Sequence, residues 1–138
     1  SNTLFEVKVT DSAEHPAVVG VLVVKKELVG QNIPAALIES ETYVDGKTVT
    51  IYNPILATIQ NEYYSVNINA VGEGMINVCG EGGDIQAGDL IVSSSIQGKG
   101  MRQADNVVRS ITVAKARESM TFAGASDIKQ IACIYLCG

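Results

Sequence analysis

The residues whose types most suggest chemistry lie in GDLIVSSSIQGKGMRQ, residues 88–103. Its three adjacent serines, Ser93 to Ser95, are potential nucleophiles, and its Gly-Lys-Gly resembles part of a phosphate-binding loop. A catalytic serine needs a base, but His15 is the only imidazole in the chain and no GxSxG elbow surrounds these serines. A phosphate-binding loop needs Ser or Thr directly after its lysine, whereas Gly100 follows Lys99. The pattern therefore favours a strand that ends in a turn.

A second candidate is the acidic segment Asp11-Ser-Ala-Glu-His15. Asp11 and Glu14 are three residues apart and adjoin the only histidine of the sequence. Two such carboxylates act as acid and base if burial raises the pKa of one of them. Turn residues in contact with solvent have the same spacing, so both interpretations stay open.

Neither the acidic glycine cluster nor the cysteines predict a metal site. The cluster GEGGD, residues 80–84, lacks the alternating oxygen ligands of a calcium loop and is typical of a hairpin turn. Cys79, Cys133 and Cys137 form no CxxC pair. We expect free thiols made in a reducing cytoplasm, with a disulfide from Cys79 to one of the others as the alternative. No metal and no cofactor are predicted.

The bulk properties limit the class of protein. A chain of 138 residues with no internal linker predicts one domain over residues 1–138. The net charge of −5 argues against nucleic acid as a partner, because phosphate neutralisation needs clustered Lys and Arg. No uncharged apolar run approaches the roughly 20 residues of a membrane span, so no membrane insertion is expected.

The elements that position these residues are predicted to be strands, because apolar residues recur with a period of two. Asp45-Gly46 between two such runs predicts a tight hairpin. Residues 25–32 have room for one helical turn, and no amphipathic helix is evident. The fold class is all-β, a compact sandwich or barrel of about eight or more mostly antiparallel strands. The predicted strands are residues 4–10, 17–24, 35–44, 48–52, 64–70, 75–79, 90–93, 107–116 and 128–137.

The second half of the chain carries a family resemblance. Its elements are VGEGMINV at residues 71–78, AGDLIVSSSIQGKGM at 87–101, TVAKA at 112–116 and the terminal YLCG. Together they resemble the β-rich C-terminal domain of viral fibre proteins, found in bacteriophage tail and neck fibres and in fibres of large DNA viruses. The resemblance implies a homotrimer at the virion surface, assembled in the host cytoplasm.

The acidic segment adds a match to the self-cleaving intramolecular chaperone type of these domains. Asp11, Ala13 and Glu14 fit its Asp-x-Ala-Glu motif, whose acidic pair is associated with autoproteolysis. Ser12 replaces the usual aromatic residue, and His15-Pro16 replaces the usual downstream aromatic segment.

Three functions follow as hypotheses. The leading one is the tip domain of a viral fibre, not an enzyme, which trimerises and attaches to a host-surface glycan or protein. Tyr63, Tyr64, Lys99 and Arg102 lie in turn regions and are its candidate ligand contacts, although tyrosines at these positions also suit a core. The alternatives are an autoproteolytic chaperone, with Asp11 and Glu14 as its catalysts in a single turnover, and a cellular β-barrel ligand-binding module.

Overall fold

The structure is a computed structural model that describes residues 6–138. Within that range the chain is built mainly of strands, with one short helix and three 3₁₀ turns, at Gly30–Asn32, Ala35–Leu37 and Gly80–Gly82. The all-β prediction is confirmed. The nine strands and the helix of the described range are β1 (Val21–Glu27), β2 (Ile38–Val44), β3 (Lys47–Tyr52), α1 (Ile55–Ile59), β4 (Tyr64–Asn69), β5 (Val71–Cys79), β6 (Leu90–Ser93), β7 (Gly100–Arg102), β8 (Thr112–Ala116) and β9 (Ile128–Leu136).

The chain divides into two compact units. The barrel unit consists of Lys8–Leu22 and Ile68–Gly138. The hairpin unit consists of Val23–Asn67 together with the described residues before Lys8. The division falls within β1 and β4, which pair as a two-stranded sheet. The expectation of one domain over the whole chain stays a prediction.

The barrel unit is a closed barrel with the strand order β5-β7-β6-β8-β9. Its longest ladder is antiparallel and joins all of β5 to β9, from Val71 opposite Leu136 to Cys79 opposite Ile128. The other antiparallel pairs are β6 with β7, β6 with β8, and β8 with β9. The parallel pair of β5 with β7 closes the circle through one register position, Val78 opposite Gly100. Closure gives each of the five strands two neighbours, although most of β5 lies outside the short ladder with β7.

The barrel interior is filled mainly by aliphatic side chains from β5, β6, β8 and β9. Val78, Ile91, Ile131 and Cys133 are completely buried and belong to one continuous cluster. Alternate residues of β9 point inwards, as the period of two requires. Such a core contributes roughly 1.5–3 kcal/mol for each large apolar side chain removed from water.

A close approach of β9 to β5 explains one glycine. A Cβ at Gly74 would collide with the phenol ring of Tyr135, whose hydroxyl donates a hydrogen bond of 2.6 Å to the Met75 carbonyl. The buried tyrosine therefore needs a residue without a side chain beneath it. This contact fixes Tyr135, which is 4 % exposed, against the longest strand of the barrel.

The hairpin unit has little interior. Strands β2 and β3 pair in the predicted antiparallel hairpin, with Val44 opposite Lys47. Asp45 and Gly46 have φ angles of 51° and 79°, which confirms the tight turn that the Asp-Gly pair predicted. The buried cluster of this unit contains three leucines, Leu28, Leu37 and Leu56, flanked by two partly buried isoleucines.

Two predictions near the N-terminus are wrong in extent. Of the strand predicted over residues 4–10, residues 6–10 adopt no regular structure, and the remainder lies outside the described residues. The apolar run 17–24 was predicted to be one buried strand, but strand structure begins at Val21. Leu22 and Val23 are about half exposed, at 50 % and 51 %. A continuous apolar run fixes the local preference for strand but does not determine what covers it.

Other differences involve short or irregular elements. The cluster at residues 80–84 is a connection with a 3₁₀ turn, not a hairpin turn, because β5 and β6 are not neighbours in the barrel. The strand predicted over 107–116 begins only at Thr112. The three-residue β7 and the five-residue α1 are too short for a periodic pattern and were not predicted. The predicted helical turn within 25–32 is present as the 3₁₀ turn at Gly30–Asn32. Among residues 6–138, no helix has the length and apolarity to cross a membrane.

Candidate functional site

The acidic segment, residues 11–15, lies against the end of β6 in the barrel unit. The Glu14 N–H donates to the Ser93 carbonyl over 2.9 Å, and the His15 N–H donates to Ser93 Oγ over 2.8 Å. Ser93 Oγ in turn donates to the Ser12 carbonyl over 2.8 Å. The Ser93 side chain thus bonds to the acidic segment at two points. The sequence alone indicates two separate sites, the serine stretch and the acidic segment.

The three serines have structural partners. Ser93 and Ser94 are 3 % and 0 % exposed. Ser94 Oγ donates to the Lys99 carbonyl over 2.7 Å, which holds the turn between β6 and β7 closed. Ser95 Oγ donates to the Glu81 carboxylate over 2.8 Å. The interpretation of this stretch as a strand ending in a turn is confirmed, and each hydroxyl stabilises a loop.

The carboxylates of the acidic segment are accessible to solvent. Asp11 and Glu14 are both exposed, and Glu14 has a φ of 51°, a left-handed conformation that costs about 1 kcal/mol or more for a residue other than glycine. His15 Nδ1 accepts a hydrogen bond of 3.1 Å from the Ala17 N–H, so the proton of the neutral imidazole sits on Nε2. The segment therefore combines a strained backbone position with two exposed carboxylates.

The predicted ligand contacts Tyr63 and Tyr64 are exposed in the hairpin unit. Tyr63 follows α1 and is 39 % exposed, whereas Tyr64 begins β4 and is 48 % exposed. The Tyr63 hydroxyl donates to Glu6 over 3.3 Å, and the negative charge of Glu6 raises the pKa of Tyr63. The alternative interpretation, that these two tyrosines pack in a core, is wrong because both side chains reach solvent.

An open cleft of about 170 Å³ lies beside Tyr64. The ammonium of Lys25 lies 4.1 Å from the centre of the Tyr64 ring, which is the geometry of a cation–π contact. Because amides, a carboxylate and an aromatic ring surround this cleft, it has both hydrogen-bonding and apolar surfaces. Its lining residues are Glu27, Val29, Gln60, Asn61 and Tyr64.

The other two predicted contacts, Lys99 and Arg102, lie in the barrel unit. Arg102 Nε is 3.5 Å from the Asp89 carboxylate, and its Nη1 donates to the Gly82 carbonyl over 3.4 Å. Arg102 therefore links the connection after β5 to the start of β6. Lys99 is partly buried, and its carbonyl accepts the Ser94 bonds that close the turn.

Sequence reasoning missed a polar network between β7 and β8. Gln103 is 3 % exposed; its Nε2 donates to Asp105 Oδ1 over 2.9 Å, and its Oε1 accepts from Thr112 Oγ1 over 2.7 Å. Nη1 and Nη2 of Arg109 donate to the Asp105 carboxylate, at 2.6 and 2.8 Å. These bonds from Arg109, together with that from Gln103, hold the pKa of Asp105 well below its usual range.

The network organises the loop that the sequence predicted as a strand. Gln103 Nε2 also donates to the Val107 carbonyl over 2.7 Å, so a side chain takes the place of a neighbouring strand. Val107 and Val108 at the loop tip are 55 % and 61 % exposed. The alternation of apolar residues from 107 onwards predicted a strand, and no local signal marks a glutamine as the residue that bends the chain away.

Cysteine chemistry is restricted by burial. Cys79, Cys133 and Cys137 are free thiols, as the favoured interpretation expected. Burial raises the pKa of Cys133 to about 11 and also raises that of Cys137. Within residues 6–138, no three His, Cys, Asp or Glu side chains group as metal ligands.

No family model matches the chain, and no curated protein or solved structure matches it either.

Proposed function

We propose that this chain is the tip domain of a viral fibre protein, which associates with copies of itself as a homotrimer and attaches to a host surface. Two lines of argument support the proposal. One is the resemblance of the sequence from Val71 to Gly138. The other is a set of apolar side chains on the hairpin unit that its own fold leaves in water.

The observation that carries the proposal is one face of the β2–β3 hairpin. Residues directly opposite each other point to the same side of a sheet, and the register places Thr42 opposite Val49 and Ser40 opposite Ile51. Val44, Val49 and Ile51 therefore share one face, which we call the apolar hairpin face after these three side chains. The polar residues on the same face are Ser40, Thr42 and Lys47. Their exposed fractions are 48 %, 48 % and 52 %. A partner surface is the simplest way to remove three such side chains from water.

The hairpin unit also has a physical need for a partner. A two-stranded hairpin is marginally stable in water unless something packs on one of its faces. The cluster of three buried leucines supplies little apolar burial for a unit of this length. A second and third copy of the chain would cover the apolar hairpin face by the closed symmetry that is usual for homo-oligomers.

The charge of the chain supports a protein or glycan partner. The net charge of −5 disfavours a polyanion at the attachment surface. In this proposal the chain folds and assembles in the host cytoplasm, which keeps its thiols reduced, and is displayed at the virion surface.

Sedimentation equilibrium across the micromolar range tests the assembly. We expect the mass of a trimer for the wild-type chain. Val49→Lys, on the apolar hairpin face, is expected to shift the chain towards monomer, because association would bury an unpaired charge. Thr48→Lys is the matched control, since it adds the same charge to the exposed opposite face of the same strand. A monomeric wild type, or equal behaviour of the two variants, would overturn the proposal.

One observation favours a second function, autoproteolytic processing. The left-handed Glu14 strains an exposed backbone segment that carries two carboxylates, and strain of this kind recurs at functional sites. Intact mass measurement of the natural polypeptide is expected to show a cut near residues 11–15. Asp11→Asn and Glu14→Gln should each abolish it, with Asp45→Asn in the hairpin turn as the control. An intact polypeptide, or a cut that survives both substitutions, would exclude these catalysts.

A further inference from the structure

The cleft beside Tyr64 has a composition that suits one class of ligand. Its lining combines an aromatic ring, two side-chain amides, a carboxylate and one aliphatic side chain. An aromatic ring packs against the C–H face of a sugar, and amides and carboxylates bond to its hydroxyl groups. The volume of about 170 Å³ is below the roughly 300–1,000 Å³ of pockets that hold drug-sized ligands, which favours a small ligand such as one sugar ring.

One polar group of the cleft, the Gln60 amide, is fixed before any ligand arrives. Gln60 Nε2 donates to the Leu28 carbonyl over 2.8 Å, which sets the orientation of the whole amide. The Gln60 N–H donates to Leu56 over 2.9 Å, and the Tyr63 N–H donates to Ile59 over 3.0 Å. These bonds fix the backbone on both sides of Asn61, at Gln60 and Tyr63. A preformed site avoids part of the ordering cost of binding.

The charges around the cleft favour a neutral ligand over a cation. Lys25 already occupies a cation position on the Tyr64 ring. Lys25 and Glu27 are two residues apart on β1, so they project from the same face of the strand and compensate each other. A cationic ligand would have to displace Lys25, whereas an uncharged polyol uses the Glu27 carboxylate as an acceptor and contacts the part of Tyr64 that stays exposed beside Lys25.

We infer that this cleft binds a single neutral sugar residue of a surface glycan. The inference rests on the attachment role proposed above and names the chemical class of its ligand. Tyr64 supplies the apolar contact, while Glu27, Gln60 and Asn61 bond to hydroxyl groups. Because the cleft is open and holds one ring, each copy binds weakly, and useful affinity arises from several copies acting together.

Saturation-transfer NMR with methyl glycosides of glucose, galactose, mannose and N-acetylglucosamine tests the inference. At least one of these probes is expected to receive saturation from the protein and to bind with a Kd of about 1 mM or weaker per site. The ring resonances of Tyr64 are expected to shift during the titration. Absence of binding by all four glycosides up to about 50 mM, well above that range, would overturn the inference.

Substitutions locate the site. Tyr64→Ala and Asn61→Ala are each expected to weaken binding by about tenfold or more, whereas Tyr64→Phe, which keeps the ring, retains it. Tyr43→Ala is the matched control, because Tyr43 is 75 % exposed on the hairpin and lies outside the cleft. Amide hydrogen exchange confirms that each variant is folded. Unchanged binding in folded Tyr64→Ala would refute the assignment of the cleft.

Two further outcomes separate this inference from the proposed assembly. A trimer that binds none of the glycosides overturns the cleft and leaves the assembly standing. A monomer that binds a glycoside through Tyr64 supports the cleft and overturns the assembly.

Tetramethylammonium, used as a cation probe, is expected not to shift the Tyr64 resonances. If it does so while the sugars do not, the ligand class inferred here is wrong.

Discussion

The barrel unit and the hairpin unit contain similar β-branched sequences but use them differently. In the barrel, Ile91 and Ile131 are completely buried by a sheet that closes on itself. In the hairpin, Val49 and Ile51 have the same strand preference and stay half exposed. The difference teaches that strand propensity fixes local conformation, whereas the number of neighbouring strands decides whether a side chain leaves water.

The largest expected effect is the loss of stability when an isoleucine is truncated in the barrel unit, compared with the same truncation in the hairpin unit. Ile131→Ala empties a completely buried position of the barrel and should lower the free energy of unfolding by about 2–5 kcal/mol. Ile51→Ala, at a half-exposed position of the hairpin, should change it by about 0.5 kcal/mol or less in the monomer. Urea unfolding, monitored by labelling of the barrel cysteines, measures the stability loss in Ile131→Ala. Equal costs for both variants would contradict the contrast.

A smaller effect is expected in the leucine cluster. Leu37→Ala removes one of three buried leucines, and the cost should fall near 2 kcal/mol, roughly the low end for such a change, because the small cluster can collapse. Hydrogen exchange should show lost protection in β2 and β3. All three cysteines lie in the barrel unit, so their labelling rates provide the control. Faster labelling of Cys133 in this variant would show that the two regions do not respond separately.

The next effect tests how tightly the barrel is packed. Gly74→Ala places a methyl group against the Tyr135 ring and should cost about 1–3 kcal/mol, because a closed sheet cannot shift one strand freely. Gly124→Ala is the control, since nothing lies within 4 Å of its added Cβ. Thermal unfolding of both variants decides the point. A Gly74→Ala protein as stable as Gly124→Ala would mean that Tyr135 moves aside without cost.

The smallest effect concerns acid and the loop between β7 and β8. Because the Arg109 bonds lower the pKa of folded Asp105, its contribution to stability is present above the usual aspartate pKa of about 4. That contribution is lost as the pH falls from about 4 towards the lower folded value. The difference in urea midpoint between wild type and Asp105→Asn should therefore be constant near neutral pH and shrink in acid. Arg109→Gln should weaken this pH dependence, because the bonds from Gln103 and Val107 to Asp105 remain. An undiminished dependence would assign it to another group.

The sequence predicted those elements whose signals are local. Asp45-Gly46 specifies positive φ angles, so the hairpin was found with its turn, and β6 was predicted with its observed bounds. Closure of the barrel and its strand order depend on pairs far apart in sequence, such as Val78 with Gly100, and no local pattern encodes them.

The candidate site was predicted in part for the same reason. Tyr63 and Tyr64 were singled out as residues of a turn, and both are exposed. Glu27, which lines the cleft, and Lys25, which lies over the Tyr64 ring, precede the tyrosines by more than thirty residues. They come close to the tyrosines only through the pairing of β1 with β4. Ser93 likewise fastens the acidic segment 78 positions away, which spacing alone does not reveal.

The barrel closes between β5 and β7 through one residue pair, Val78 with Gly100, so this junction is the weakest of the five. Every other junction is joined by three or more register pairs, so we expect thermal opening to start at this seam. Once parted, β5 and β7 each present unpaired amides that a neighbouring molecule can capture by strand exchange. The kinetic lifetime of the closed ring therefore depends on its shortest junction.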